Sequence, residues 1–331
     1  MRMNILLPGS MSTVQDMGRT GHAAQGYPEC GACDKYALAL GNLLCGNPER
    51  AAAIEMTLTG ATVRFDQDAV IALTGAACTP KLDGYGIPLY TPVRVPAGAT
   101  LETGMFTAGL RAYLCVQGGV DAAPVLGSRS TDMKCRIGGI EGRALRRGDH
   151  LPIGKPTPGY AFERAARAAE ILAGKPWLLR PRTAHSFLPE QAVPLLRAVP
   201  GPQDDAFTGE GLRAFFSGMY TVTADSNRMG VKLAGPAVAA KEGSDILSDG
   251  IVEGSVQISA NGQPILMLAD HQTTGGYAKI ATVIAPDLSA AAQLRPGELA
   301  AFRPVTVQKA ISLCRDTAQQ LCYIKELIEH D

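Results

Sequence analysis

The stretch STVQDMGRTGHAAQGYPECGACD, residues 12–34, is the segment around which the rest of the chain is organised. It holds four glycines among acidic, amide and basic side chains. Glycine costs roughly 0.5–1 kcal/mol per residue in the interior of a helix or strand, so the stretch predicts an irregular loop. Such a loop suits a binding site, because glycines let the backbone pass close to a ligand while arginine and aspartate supply fixed charges. A turn-rich surface loop has the same composition, and both interpretations stay open.

The composition of the 331-residue chain predicts a globular protein rich in short strands and turns. Its hydrophobic content of 46% supports a sizeable core, and its 37 glycines and 22 prolines favour short strands over long helices. Lys plus Arg equals Asp plus Glu, at 31 each. This balance gives no electrostatic reason to expect nucleic acid or an anionic membrane as a partner.

The chain carries no signal for secretion or membrane insertion. Its N-terminal apolar run is too short for a signal peptide, and no run of about 18 apolar residues predicts a transmembrane helix. We therefore expect a cytoplasmic protein whose eight cysteines are reduced thiols. Cys30 and Cys33 form a CGAC pair, which we interpret as small buried or half-buried residues because no second CxxC follows. The five histidines lack metal-ligand spacing, so no metal site is predicted.

The short apolar runs are separated by turn signals, a pattern typical of a β-meander or barrel. The predicted fold class is mainly β with some α, as two β-barrel-type domains with short helices and a C-terminal helix. Predicted domain ranges are 1–155 for a β-rich N-terminal domain, 156–190 for a linker with a helix, and 191–331 for a β-rich C-terminal domain ending in a helix.

Capping and apolar spacing predict the helices. Asp34 is expected to cap a helix that begins at Lys35 and ends before Gly46, although Gly41 weakens it. An alanine-rich segment predicts the helix of the linker, and apolar spacing predicts a long C-terminal helix. The linker helix is predicted at 161–173 and the C-terminal helix at 306–330. Two further helices are predicted between them, at 204–217 and 287–294.

Three polar, glycine-rich regions follow one another on this scaffold, at residues 12–34, 117–149 and 270–277. In the second, Ser128–Thr131 presents one guanidinium and three hydroxyls, which suits an oxyanion but is equally typical of a capped turn with a solvated arginine. Together the regions predict a site for a small carboxylate, carboxamide or carbamate. The sequence contains no P-loop, dinucleotide-binding motif or nucleophile elbow, so activation of ATP would need a partner subunit.

Six motifs in chain order carry a resemblance to a known family. They are TVQDMGRTG, GYPECGACD, GGVDAAPVLGSRST, GPQDDAF, SNRMGVKLAG and DHQTTGGYAKIATVIAPDL, and they extend over most of the chain. The sequence thereby resembles the KipA-like family, also called the biotin-dependent carboxyltransferase or allophanate hydrolase subunit 2 family. The resemblance implies cyclophilin-like barrel domains and a KipI-like partner subunit.

The resemblance implies one of three activities. One branch of the family is the C component of bacterial ATP-dependent 5-oxoprolinase, which acts with the KipI-like B component and an A component to convert 5-oxoproline to glutamate. Another is the carboxyltransferase part of urea carboxylase, which uses biotin, and a third is a non-enzymatic antagonist of KipI. This chain has no biotin carboxylase or biotin carrier region, which favours a hydrolase of the first branch, with ATP bound with or by a partner subunit. Biotin from another polypeptide is expected only under the carboxyltransferase alternative.

The motif match also implies the site residues. The implied catalytic residues are Asp16, Arg19, Asp34 and Arg228. We expect Arg19 and Arg228 to hold a carboxylate or phosphate, oriented by Asp16 or Asp34. The alternative for Asp16 and Arg19 is a salt bridge that braces the loop. The implied substrate-binding residues are Gln15, Arg129, Gln203, Asp204, Asn227, Gln272, Thr273, Thr274 and Tyr277.

Overall fold

The computed structural model describes residues 2–179 and 193–330, with the side chain of the last residue left undescribed. Contacts between residues divide the chain into two compact units. Unit 1 comprises Met1–Thr20, Cys30–Arg180 and Gln319–Asp331, and unit 2 comprises Gly21–Glu29 and Pro181–Ala318. The predicted linker at 156–190 lies partly outside the described residues, and the predicted domain ranges stay predictions.

Unit 1 forms two antiparallel sheets in the part of the chain described. Its strands are β1 (Arg2–Leu7), β2 (Met11–Gln15), β3 (Ala53–Thr57), β4 (Thr62–Phe65), β5 (Ala69–Ala77), β6 (Lys81–Leu82), β7 (Tyr85–Gly86), β8 (Val93–Val95), β9 (Thr100–Glu102), β10 (Ala108–Val116) and β11 (His150–Pro152). The six-stranded sheet has the order β11-β1-β4-β9-β6-β7, and the five-stranded sheet has the order β2-β3-β10-β5-β8.

The core of unit 1 follows from alternation along these strands. In β4, Val63 and Phe65 are fully buried, whereas Arg64 between them is exposed. Val63 and Phe65 pack in one cluster with Ile54 and Leu114 of the other sheet. Each such side chain contributes about 1.5–3 kcal/mol by leaving water, so the short strands are stabilised by packing between the sheets.

The first helix, α1 (Lys35–Leu44), begins where the sequence predicts. The Asp34 carboxylate accepts a hydrogen bond from the Ala37 backbone N–H at 3.0 Å and so caps it. Gly41 lies inside this helix because α1 packs closely on β10. A Cβ at Gly41 would come within 2.7 Å of the Cys115 sulfur, so the glycine that lowers helix propensity is required by this contact.

The loop prediction for residues 12–34 is wrong for its first residues. Ser12–Gln15 belongs to β2, which pairs with β3 in register from Met11 opposite Thr57 to Gln15 opposite Ala53. These residues contain no glycine and their side chains are buried, so a strand is favourable there. Beyond Gln15 the four glycines all have positive φ, as an irregular chain path requires.

Unit 2 contains a closed barrel, which confirms the predicted mainly β fold class; of the two predicted barrel-type domains, unit 1 forms two sheets in the part described. The strands of unit 2 are β12 (Leu195–Pro200), β13 (Met219–Val222), β14 (Gly230–Ala234), β15 (Asp245–Gly250), β16 (Ser255–Ile258), β17 (Pro264–Met267), β18 (Thr274–Tyr277), β19 (Lys279–Val283) and β20 (Leu299–Pro304). The barrel order is β12-β19-β16-β17-β14-β13-β20, and β20 closes it by parallel pairing with β12. Strands β15 and β18 form a two-stranded ribbon.

Four further helices lie close to their predicted positions. They are α2 (Phe162–Ala173), α3 (Gly209–Ser217), α4 (Ala285–Ala292) and α5 (Val307–His330). The predicted 204–217 helix divides into a 3-10 turn, Asp204–Ala206, and α3, which Thr208 caps by accepting from the Gly211 backbone N–H at 3.0 Å. Every helix in the described ranges is too short or too polar to cross a lipid bilayer.

Candidate functional site

The carboxylate of Asp16 joins two of the polar loops of unit 1. Asp16 directly follows β2, and its Oδ1 accepts hydrogen bonds from the hydroxyls of Ser128 at 2.6 Å and Ser130 at 2.5 Å, and from the backbone N–H of Gly18 at 2.8 Å. Its Oδ2 accepts from the backbone N–H of Arg129 at 2.6 Å. Four donors therefore converge on one buried carboxylate, so the role that the geometry gives Asp16 is to position the two loops against each other.

The hydroxyls of Ser128–Thr131 are engaged within the protein. Those of Ser128 and Ser130 donate to Asp16, and that of Thr131 donates to a carbonyl of β2 at 3.0 Å. Arg129 forms an ion pair with Asp121, with 3.0 Å between Nη2 and Oδ1. These bonds favour the capped turn over the oxyanion cluster, because each hydroxyl proton already has an acceptor.

Arg19 presents a buried guanidinium that is only partly bonded. The residue is 1% exposed, and its Nη2 donates to the Ser130 carbonyl at 2.5 Å. Its Nε and Nη1 have no hydrogen-bond partner among the described residues. Gly138 leaves room for this group, since a Cβ there would lie 2.9 Å from Nη2. Within the described ranges no ion pair joins Arg19 to Asp16, so Asp16 positions Arg19 indirectly, through Ser130 and through the backbone of Gly18.

Two more buried polar atoms lack hydrogen-bond partners in the described part of unit 1. Both belong to residues that lie next to the Ser128–Thr131 segment. Asp132 is 2% exposed, and its Oδ1 accepts from the backbone N–H groups of Lys134 and Cys135, both at 2.9 Å. Its Oδ2 is one of the two atoms without a hydrogen-bond partner. Gln15 donates through Nε2 to the Thr131 carbonyl at 3.2 Å, which leaves its Oε1 as the other. Asp132 was not among the predicted site residues, although an aspartate directly after the Ser128–Thr131 cluster is a signal for a turn at the same place.

A second buried network of unit 1 fixes the CGAC turn. Glu55 Oε2 accepts from the Tyr113 hydroxyl at 2.7 Å and from the Cys33 backbone N–H at 2.9 Å, and the Tyr113 hydroxyl accepts from the Asp34 backbone N–H at 2.8 Å. Burial, and then the Glu55 and Asp34 carboxylates, raise the pKa of Tyr113 well above its ordinary value. Cys30 and Cys33 are both buried, which confirms their interpretation as small buried residues.

In unit 2, Arg228 is held by Asp270. Its Nε donates to Oδ2 at 2.8 Å and its Nη2 donates to Oδ1 at 2.9 Å, and Arg228 is 3% exposed. Asn227 turns the chain next to it by accepting from the Met229 backbone N–H at 2.8 Å. The edge of the guanidinium that would clamp a carboxylate already binds one, so this arrangement acts as a brace between the SNRMG and DHQTTGGY segments.

A third polar group in unit 2 centres on Asp249. The nearly buried Lys279 donates through Nζ to Asp249 Oδ2 at 2.7 Å, and Gln203 Nε2 donates to the same oxygen at 3.1 Å. The hydrogen bond from Lys279 is the main cause of a lowered pKa of Asp249. Lys279 was not among the predicted residues. The other predicted residues of unit 2 lie on the 3-10 turn or on and just before β18, namely Asp204, Gln272, Thr273, Thr274 and Tyr277.

The family described as carboxyltransferase domain, subdomains A and B, matches residues 25–304. The chain belongs to this family. The carboxyltransferase-domain chain is 38% identical to the C component of 5-oxoprolinase from Escherichia coli over 316 residues, covering 95% of this chain and 94% of that protein. It is 37% identical over 327 residues to the C component of 5-oxoprolinase from Haemophilus influenzae, covering 99% of each.

A solved structure shares the fold of this carboxyltransferase-domain chain. The crystal structure of K. lactis urea amidolyase superposes with a TM-score of 0.86 at 28% identity and covers 98% of this chain. The chain corresponds to 20% of that enzyme's length. Within residues 2–179 and 193–330, no group of three or more His, Cys, Asp or Glu side chains is arranged to hold a metal ion.

Proposed function

We propose that this chain is part of an ATP-dependent 5-oxoprolinase, which opens 5-oxoproline to glutamate together with a KipI-like B component and an A component. The observation that carries this proposal is the sequence identity of 38% and 37% with two proteins named as the C component of 5-oxoprolinase. Each alignment covers almost the whole length of this chain and of the relative. In the reaction, water adds to the amide carbonyl, the C–N bond breaks and the nitrogen takes up a proton. ATP hydrolysis, with the nucleotide bound with or by a partner subunit, makes the opening favourable.

Arg19 is the residue that we assign to the substrate carboxylate. 5-Oxoproline carries a carboxylate on the carbon next to its ring nitrogen, and Arg19 offers two buried donors without partners in the described chain, Nε and Nη1. A guanidinium binds a carboxylate through charge-assisted hydrogen bonds, which are strong where water is excluded. Asp16 supports this role by holding Ser130, whose carbonyl fixes the Arg19 guanidinium.

The test is reconstitution of 5-oxoproline-dependent ATP hydrolysis with the KipI-like and A-component proteins of the same genome, with and without this chain. We expect turnover only when the chain is present. Arg19→Lys should raise KM for 5-oxoproline, because an ammonium replaces the planar donor, whereas Arg64→Lys, at an exposed arginine of β4, is the matched control. Turnover at the same rate without the chain would overturn the proposal.

A second candidate function is carboxyl transfer from biotin carried by another polypeptide. The TM-score of 0.86 with K. lactis urea amidolyase favours it. It predicts biotin binding and decarboxylation of carboxybiotin by the chain with its KipI-like partner. A tight complex with that partner that turns over neither 5-oxoproline nor carboxybiotin would instead support a non-enzymatic antagonist.

A further inference from the structure

Arg19 and Asp132 are buried opposite charges that do not neutralise each other. Arg19 is 1% exposed and Asp132 is 2% exposed. Within residues 2–179 and 193–330, three of their atoms have no hydrogen-bond partner: Nε and Nη1 of the arginine and Oδ2 of the aspartate. Across the same part of the chain, no ion pair joins Arg19 to a carboxylate. Buried charges without partners are costly, so a structure retains them where another group compensates them.

One hairpin holds both side chains. The carbonyl of Ser130 binds Arg19 Nη2, and a Cβ at Gly138 would lie 2.9 Å from the same nitrogen. The backbone N–H of Asp132 donates to the carbonyl of Ile137, the residue before Gly138, at 2.9 Å. Desolvation, and then a hydrogen bond with the Asp132 side chain, raise the pKa of the Cys135 thiol at the tip, whereas the nearby charges of Lys134 and Arg19 lower it. Arg19 and Asp132 therefore share one electrostatic neighbourhood.

The unpartnered atoms are held in fixed directions. Asp132 Oδ1 accepts the two turn N–H groups of Lys134 and Cys135, which sets the plane of the carboxylate and leaves Oδ2 as a fixed acceptor. The Ser130 carbonyl fixes Arg19 in the same way. Groups that are oriented before binding recognise a ligand at a lower entropic cost than mobile groups do.

We propose that Asp132 Oδ2 accepts the N–H of the substrate whose carboxylate Arg19 binds, so that the two residues together recognise a carboxylate next to a nitrogen donor. This inference rests on the proposed function. In 5-oxoproline the carboxylate and the ring N–H are attached to the same carbon, and in glutamate that N–H becomes an ammonium. Asp132 is thus a specificity-determining residue for the amide nitrogen, separate from the carboxylate anchor.

The test compares the cyclic amide with its γ-lactone, in which an oxygen replaces the ring N–H, in the reconstituted complex. Asp132→Asn keeps Oδ1 for the two turn N–H groups but replaces the Oδ2 acceptor with a donor. We expect kcat/KM for 5-oxoproline to fall about 10- to 100-fold, mainly through KM, because a charge-assisted hydrogen bond is lost. Inhibition by the lactone should stay the same or become stronger, because its ring oxygen receives no bond from the aspartate and can accept one from the asparagine NH2. Glu102→Gln, at an exposed carboxylate of β9, is the control.

The outcomes separate this inference from the proposed function. Absence of 5-oxoproline turnover by the wild-type complex defeats the proposed function itself. If the wild-type complex turns over 5-oxoproline but Asp132→Asn changes the recognition of amide and lactone equally, or changes neither, the role of Asp132 is overturned and the proposed function stands. Buried waters would then be the partners of these atoms. Should Asp132→Asn fail to fold, the wild-type complex can still refute the inference, because lactone binding within about tenfold of 5-oxoproline binding would mean that no acceptor recognises the ring N–H.

Discussion

Replacing Asp16 with alanine removes the acceptor on which four donors of unit 1 converge. The loss leaves the hydroxyls of Ser128 and Ser130 and the backbone N–H groups of Gly18 and Arg129 without their partner, at positions where three of the four bonds are 2.6 Å or shorter. A hydrogen bond to a charged group contributes about 1.5–3 kcal/mol, and bonds that share one acceptor are not additive. We therefore expect the free energy of unfolding to fall by about 3–5 kcal/mol.

Asp16→Asn separates the charge from the geometry. The asparagine Oδ1 can still accept from three donors, and only the bond from the Arg129 N–H to Oδ2 is lost, so the expected cost is about 1–2 kcal/mol. Urea unfolding followed by circular dichroism measures both variants, with Asp225→Asn, at an exposed aspartate, as the control. An Asp16→Ala protein as stable as the wild type but inactive in the reconstituted complex would refute the positioning role and favour the predicted catalytic one.

Three further predictions concern stability. Tyr113→Phe should lower the free energy of unfolding by about 1–3 kcal/mol in urea titrations, because Glu55 loses its hydroxyl donor, and an unchanged midpoint would contradict the network. Arg228→Lys should lower the melting temperature, since an ammonium cannot form both bonds to Asp270; lost turnover with an unchanged melting temperature would show a ligand clamp instead. The Arg143 guanidinium lowers the pKa of Asp149 below the ordinary carboxyl value of 3.8. This pair therefore contributes its full stabilisation at a pH above 3.8, and the stabilisation is lost as the pH falls through the lower pKa of the folded state. Asp149→Asn should reduce the acid-induced loss of stability below about pH 4, and identical acid unfolding curves would contradict this.

Local signals in the sequence predicted the parts of the fold that depend on neighbouring residues. Asp34 caps α1 through Ala37, three residues away, so its role follows from the order of residues alone. The helix α5 and apolar strands such as β1 and β10 likewise follow from apolar spacing, whereas the polar strands β2 and β18 do not. The parallel pairing of β12 with β20 joins Leu195 to Ala301, and no local pattern specifies a contact at that separation.

The candidate site was predictable by residue type and not by role. The sequence placed Asp16 and Arg19 in a polar segment, and the family resemblance marked them together with Arg228. Their roles depend on partners far along the chain, since Ser130 lies 114 residues from Asp16 and Asp270 lies 42 residues from Arg228. Asp132 stands out only when its Oδ2 is seen to be buried without a partner in the described chain, which no sequence pattern reports.

The proposed function is tested most directly by glutamate formation from labelled 5-oxoproline in the reconstituted three-component mixture. We predict that glutamate forms in step with ATP hydrolysis when this chain is present, and that both stop when it is omitted. Formation of glutamate at an equal rate without the chain, or hydrolysis of ATP with the chain and without any glutamate, would contradict its assignment to a 5-oxoprolinase.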